Sequence, residues 1–173
     1  KVDKGVVLPF RADVDRKNYN IGISQVLTRN MLLGLNFETD TSAGYLHSPY
    51  RSVRFIDPLV ARGYSYEPER YPGTRTTNAA SVQIKYYLPI HAALDGSYRF
   101  FTDTWGIVAN TAEGCYTQTA FGNWTFSASV RYYWQSHATF YSDLFPYENS
   151  QNFLARDREL AHAGLTELVV VGT

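Results

Sequence analysis

The stretch WTFSASVRYYWQS, residues 124–136, alternates between apolar and polar side chains. One row carries Trp124, Phe126, Ala128, Val130, Tyr132 and Trp134, and the other carries Thr125, Ser127, Ser129, Arg131, Tyr133 and Gln135. This period of two predicts a β-strand with one apolar and one polar face. The predicted strand is about twice the usual length in globular proteins. Whether a protein core or lipid covers its aromatic row therefore decides the fold class.

The same alternation recurs along the chain. It is found at 18–28, 31–40, 77–88, 93–101 and, more weakly, 108–117. The first two stretches predict a β-hairpin with its turn at Arg29 and Asn30. Near the end, 153–163 is rich in helix formers, whereas 165–172 predicts a last strand. We expect an all-β, antiparallel up-and-down meander of about six to seven long strands, closed as a transmembrane β-barrel or forming part of one.

The connections between these strands alternate in length. They run short (29–30), long (41–75), short (89–92), moderate (102–106), short (118–123) and long (137–155). In a meander, successive connections lie at opposite ends of the sheet. Short turns at one end and long loops at the other are typical of outer-membrane barrels. We therefore interpret residues 1–173 as one barrel domain with two long outer loops, and we expect the four prolines of 41–75 to prevent regular elements there.

The two faces predict two environments. The polar rows supply the expected lumen-lining residues: Glu38, Asp40, Gln83, Lys85, Asp95, Arg99, Glu113, Arg131 and Gln135. The apolar rows supply the expected lipid-facing and girdle residues: Leu33, Leu35, Phe37, Val82, Ile84, Tyr86, Tyr98, Phe100, Tyr116, Trp124, Phe126, Val130, Tyr132 and Trp134. Aromatic residues near strand ends favour a membrane, where they form girdles at the two interfaces. In a soluble barrel the polar rows would face outside water instead.

Composition narrows the functional classes. Lys and Arg balance Asp and Glu, so the formal net charge is zero. This argues against a general nucleic-acid binder, which needs basic side chains to meet phosphates. No apolar stretch reaches the roughly 18 residues of a membrane helix, whereas a barrel strand needs only about 9–11. The first residues show no signal-peptide pattern, and we expect the chain to be cytoplasmic, processed or a fragment.

No constellation predicts catalysis or a metal site. The four histidines lie in separate segments without metal-ligand spacing. The single cysteine, Cys115, has no identifiable base beside it. Ser136 and His137 are neighbours, which places them on opposite faces of a strand and makes a poor dyad. We expect no enzyme activity, no cofactor and no metal.

The 41–75 segment carries the remaining candidates. Asp57, Glu67 and Glu69 offer carboxylates for calcium, although a solvated loop is the stronger expectation. The tyrosines and arginines of this segment are of types enriched at binding surfaces. They are equally suited to packing the loop on itself or plugging a lumen.

Several longer motifs resemble one bacterial family. They include SQVLTRNMLLGLNFETDTSAGYLHSPYRSVRF, YSYEPERYPGTRT, YRFFTDTWGI, VRYYWQSHATFYSDLF and NFLARDREL. Across about residues 15–160 the chain resembles the family named domain of unknown function 3570, whose members look like outer-membrane barrels of roughly double this length. The resemblance implies a fragment, since an aromatic-ended closing strand is expected where this chain has LVVVGT. It also implies, by gene association alone, a link to envelope redox systems.

These observations predict a bacterial outer-membrane β-barrel protein acting as a channel or envelope scaffold. Its expected partner is the lipid bilayer, with no nucleic acid, and its permeant and protein partners stay open. The alternative is a soluble β-barrel that binds an apolar ligand inside, with the Trp124–Trp134 face pointing inward. A third hypothesis, an envelope enzyme using Ser136 or Cys115, has the least support because neither residue has an evident partner.

Overall fold

The computed structural model describes residues 13–46, 48, 50–120 and 124–172. In chain order the strands are β1 (Val14–Thr28), β2 (Met31–Gly44), β3 (Ser52–Ile56), β4 (Tyr64–Pro68), β5 (Thr74–Leu88), β6 (Ala92–Asp103), β7 (Val108–Ala120), β8 (Trp124–Gln135) and β9 (Ala163–Gly172). Seven of them form one antiparallel meander sheet in the order β1-β2-β5-β6-β7-β8-β9, and β3 pairs with β4 in a second, small sheet. The fold is therefore all-β and antiparallel, as predicted.

The large sheet is open rather than closed. Strands β1 and β9 are its two edges. The only helical element of the described residues is a 3₁₀ turn, Arg158–Leu160. No helix in the described part of the chain is long and apolar enough to cross a membrane.

The register of the strands places most apolar side chains on one face of the sheet and most polar side chains on the other. Directly paired residues share a face, and one such row joins Phe37, Ala80, Phe100, Asn110 and Trp134 across five strands. Because side chains alternate along each strand, this row fixes the face of every other residue in the sheet. All fourteen predicted lipid-facing residues lie on this apolar face, and all nine predicted lumen residues lie on the opposite, polar face.

The polar face is the concave side of the sheet. A cleft of about 220 Å³ is lined by polar-face side chains from five consecutive strands, among them Gln83, Ser97, Glu113, Arg131 and Glu167. One cleft lined by side chains of five adjacent strands indicates that the sheet curves toward this face. The aromatic rows therefore lie on the convex side.

Most of the buried hydrophobic side chains lie outside the large sheet. We call residues 50–73, 104–107 and 136–162 the cap. Two clusters of buried side chains fill it: Trp105, Ile107, Ala138, Phe140, Ala155 and Leu160 in one, and Val53, Phe55, Phe145 and Leu154 in the other. Of the described long strands, only alanines (Ala79, Ala92 and Ala109) contribute buried hydrophobic side chains. The cap is thus the packed body of the chain, at the long-connection end of the sheet.

The cap differs from the predicted loops. Residues 41–44 extend β2, 74–75 begin β5, and β3 and β4 lie between them. The expectation that prolines prevent regular elements in 41–75 is therefore wrong, because Pro68 sits at the very end of β4, where a missing N–H is tolerated. The helix-forming stretch 153–163 yields only the 3₁₀ turn, and the predicted last strand is present as β9.

Candidate functional site

A charged band crosses the middle of the polar face. Arg131 on β8 lies in register with Glu113 on β7 and Glu167 on β9. Its Nε is 3.0 Å from Glu113 Oε1. Acidic and basic side chains therefore alternate across three adjacent strands on this face.

The band continues toward β5 and β2. Lys85 Nζ lies 2.9 Å from Asp95 Oδ2, and Gln83 Nε2 donates to Asp95 Oδ1 at 3.3 Å. Arg99 on β6 reaches across β5 to Glu38 on β2, with 3.6 Å between Nη2 and Oε2. These pairs are partly exposed, so each contributes only about 0–1 kcal/mol to stability. Their main effect is to hold charge of alternating sign along a wet surface.

The two remaining predicted lumen residues lie near the cap. Asp40 is bound by Arg16 Nε at 3.2 Å and by the Ser42 hydroxyl at 3.2 Å. Gln135 donates through Nε2 to the carbonyls of Glu159 and Ala161, at 2.9 and 2.8 Å. Gln135 therefore fastens the cap to the sheet rather than facing open space.

Cys115 lies on the polar face beside the charged band. It is paired in register with Asp95 and Ser129 and lines the same cleft as Arg131. Its nearest side-chain partner is the Thr117 hydroxyl, 3.8 Å from Sγ. This thiol is half-buried and its side-chain contact is with a hydroxyl, so it can serve as a reporter for the polar face.

Most of the apolar face is uncovered in the part of the chain that the structure describes. The side chains of Phe37, Tyr132 and Leu168 are 49%, 53% and 73% exposed. One polar residue on this face, Asn110, accepts a hydrogen bond of 2.6 Å from the Tyr98 hydroxyl, so its side-chain oxygen has a partner. A large uncovered apolar surface marks a region that contacts protein or membrane.

Asp103 is the principal anchor of the cap, and its side chain is fully buried. Oδ2 accepts from Arg75 Nε at 2.9 Å and Nη2 at 2.7 Å. Oδ1 accepts from the backbone N–H groups of Trp105 and Ile107 at 3.0 and 2.9 Å. Arg75 also lies over the Trp105 ring, 4.5 Å from its centroid. One carboxylate thus joins β5, β6 and the cap's aromatic cluster.

Two further carboxylates organise the interior of the cap. Glu67 and Glu69 are 6% and 3% exposed. Glu67 accepts from the backbone N–H of Asn149 at 3.0 Å, and Glu69 accepts from that of Arg156 at 2.9 Å. The Tyr71 hydroxyl donates to Glu69 at 2.9 Å. Burial, followed by this bond to Glu69, raises the pKa of Tyr71.

The calcium hypothesis gains no support from this geometry. Glu67 and Glu69 are occupied by backbone donors and are not solvated, so the expectation of a solvated loop is wrong for them. Asp57 accepts from the Leu59 N–H at 3.1 Å within a turn. In the described residues, no group of three or more His, Cys, Asp and Glu side chains is arranged to hold a metal.

The other sequence candidates are dispersed. Ser136 Oγ bonds to backbone atoms, accepting from the Val108 N–H at 2.9 Å and donating to the Gly106 carbonyl at 3.4 Å. His137 Nδ1 lies 2.9 Å from the Ala138 carbonyl. His91 and His162 lie at opposite ends of the sheet, beside Tyr87 and Trp134, and His47 lies outside the described residues.

Comparison with known proteins identifies the family. Residues 11–166 match the family described as protein of unknown function, DUF3570. The chain belongs to the DUF3570 family. No curated protein matches the sequence. The resemblance derived from the motifs is therefore confirmed, and the match covers every described strand up to the first residues of β9.

In this DUF3570 chain, sequence reasoning found the polar face but missed the cap's anchors. Arg75, Asp103, Glu67 and Glu69 were assigned to loops or strand ends, where charged residues are normally solvated. One local signal was available. Asp103 is followed by Thr-Trp-Gly, and an acidic residue before a large aromatic at a turn often accepts from the following N–H groups.

Proposed function

We propose that this chain forms part of an outer-membrane β-barrel whose polar face lines a water-filled interior and whose apolar face contacts lipid. One observation carries the proposal. The sheet is convex and uncovered on its apolar side, concave and charged on its polar side, and packed only at the cap. A soluble domain would bury the apolar face of an antiparallel sheet.

The dimensions of the apolar face match a bilayer. Trp124 and Trp134 lie ten residues apart at the two ends of β8. At about 3.4 Å per residue this is roughly 34 Å along the strand, or about 26 Å along the membrane normal for a tilt of about 40°. The apolar band of an outer-membrane barrel is about 25 Å tall and is flanked by aromatic girdles.

The charged band supports a channel. Its ion pairs lie on the concave side, where a barrel holds water. Charges of both signs suit the passage of small polar solutes and give no strong preference for one sign. A purely structural scaffold would not need this band, although the two roles are compatible. The redox association implied by the family stays a prediction.

The soluble alternative requires the opposite curvature. A ligand-binding barrel with Trp124 and Trp134 inside would place the aromatic rows on the concave side. The cleft lined by Gln83, Glu113 and Arg131 lies on the other face and favours the membrane proposal.

Tryptophan quenching tests which surface meets lipid. Trp124 and Trp134 lie on the apolar face, whereas Trp105 is buried in the cap. After reconstitution, lipids with brominated acyl chains are expected to quench the parent strongly and the variant carrying Trp124→Phe and Trp134→Phe weakly. Equal quenching of the two proteins would sink the proposal.

The native thiol provides an independent test of the polar face. A charged, membrane-impermeant thiol reagent is expected to modify Cys115 in reconstituted protein, because the thiol faces the wet side. In a Cys115→Ser background, Val130→Cys on the apolar face is the matched control and should stay unmodified in lipid. Modification of the control with protection of Cys115 would reverse the assignment of the two faces.

A further inference from the structure

The cap covers the polar face at the long-connection end and leaves most of the apolar face uncovered. Ala79 and Ala109, both on the polar face, are each 5% exposed, and Phe101 between them packs against the Trp105 cluster. On the apolar face at the same height, Phe100 is 40% exposed. The cap therefore sits on the concave side of the sheet, above the charged band.

Specific contacts hold the cap in this position. Asp103 and Arg75 join the strands to Trp105, and Gln135 binds two cap carbonyls. Gly106 allows a close approach between the β6–β7 turn and residues 136–162 of the cap: its φ is +86°, and a Cβ there would lie 2.5 Å from Thr139 Cγ2. These contacts come from three different polar-face positions, so the cap is attached along its length.

The cap is also ordered internally. Backbone bridges link residues 50–73 to residues 136–162 at Phe55 with Phe145 and at Arg70 with Leu154, and a third bridge joins Tyr141 to Ala155 within 136–162. The buried carboxylates Glu67 and Glu69 cross the same boundary through the N–H groups of Asn149 and Arg156. A segment packed in this way behaves as a rigid body rather than a floppy loop.

We infer that the cap is an inward-folded plug that restricts passage through the interior at the long-connection end. The inference rests on the proposed function, since it needs a wet interior on the polar face. Small hydrophilic solutes then pass the charged band through the space left beside the cap. The short-turn end has no comparable cover among the described residues, because its connections are only a few residues long.

Removing half of the cap tests the inference. Gln135 pairs with Ala163, so a short Gly-Ser turn can replace residues 137–161 without changing the register of β8 and β9. In planar bilayers, the full chain with this replacement is expected to conduct at least about twofold more than the parent. Equal conductance in the two proteins, including none in either, would overturn the inference.

A point variant tests the same inference if the protein with residues 137–161 replaced does not fold. Trp105→Ala removes the ring that contacts Tyr71, Phe140 and Arg75 and should raise both conductance and its fluctuations. Leu59→Ala is the matched control, since Leu59 is 96% exposed within the same cap and should conduct like the parent. Conductance unchanged by Trp105→Ala in a folded protein would count against the plug. Failure of the barrel proposal itself is read separately, from tryptophan quenching and Cys115 modification.

Discussion

At the scale of single residues, buried carboxylates carry more of the stability of this fold than the visible ion pairs of the charged band. Asp103 accepts from both the Arg75 guanidinium and two backbone N–H groups, and its side chain is fully buried. Removing one partner of a buried ion pair leaves the other charge buried with nothing to offset its loss of hydration. The ion pairs of the charged band are partly exposed to solvent, so water can hydrate the charge that remains when one partner is removed.

We expect Asp103→Ala to lower the free energy of unfolding by about 3 kcal/mol, because it strands Arg75 and two N–H groups. The control is Asp95→Ala, which breaks the partly exposed pair with Lys85 and should cost about 1 kcal/mol or less. Urea unfolding in micelles, followed by tryptophan fluorescence, measures both. Equal losses would show that Asp103 is not the anchor.

Tyr71 makes stability depend on pH at the alkaline end. Its pKa in the folded state lies above the usual value of 10.0, because of burial and the bond to Glu69. Tyr71 therefore contributes to the free energy of unfolding in full below pH 10. This contribution is lost as the pH rises further, because the Tyr71 hydroxyl loses its proton in the unfolded chain and keeps it in the folded chain. We expect Tyr71→Phe to lose stability less steeply above pH 10 than the parent in urea titrations at several pH values. An unchanged slope would contradict this assignment.

At the scale of elements, each long strand presents one apolar and one polar face. Shifting its pairing register by one residue would exchange the two faces. Strand β8 shows this most plainly, because Ser129 and Val130 are neighbours on opposite faces. The same strand therefore supplies both a test position and its control.

We expect Val130→Arg to destabilise the reconstituted protein by about 2–4 kcal/mol, since it places a charge near the middle of the lipid-facing band. Ser129→Arg, one residue away on the wet face, should change stability by less than about 1 kcal/mol. Reversible unfolding in lipid vesicles compares the two. A larger loss for Ser129→Arg would place lipid on the polar face.

At the scale of the whole molecule, the accessible area is too large for a compact soluble domain. The chain exposes 12340 Å², whereas a compact monomer of its 19.7 kDa mass exposes about 8600 Å². The excess fits a sheet whose apolar face is largely exposed and whose polar face is covered only by the cap at one end. Such a surface fits the proposal that a bilayer covers the apolar face.

We therefore expect the chain to be monodisperse only in detergent or lipid. In plain buffer its apolar face and the two sheet edges should drive association. Sedimentation in buffer, compared with sedimentation in micelles, measures this directly. A stable monomer in buffer alone would exclude the membrane assignment.

The sequence by itself determined the long strands of the large sheet, their order, and the faces of the predicted lumen-lining and lipid-facing residues. Period-two alternation is local, so Arg131 and Trp134 were assigned to faces without knowledge of any neighbour. Only the tertiary structure revealed the cap. Its contacts join residues far apart in the chain, such as Glu69 with Arg156 and Arg75 with Asp103, and no local period records such pairings. Curvature also required the assembled sheet, because it depends on how five strands place their side chains around one cleft.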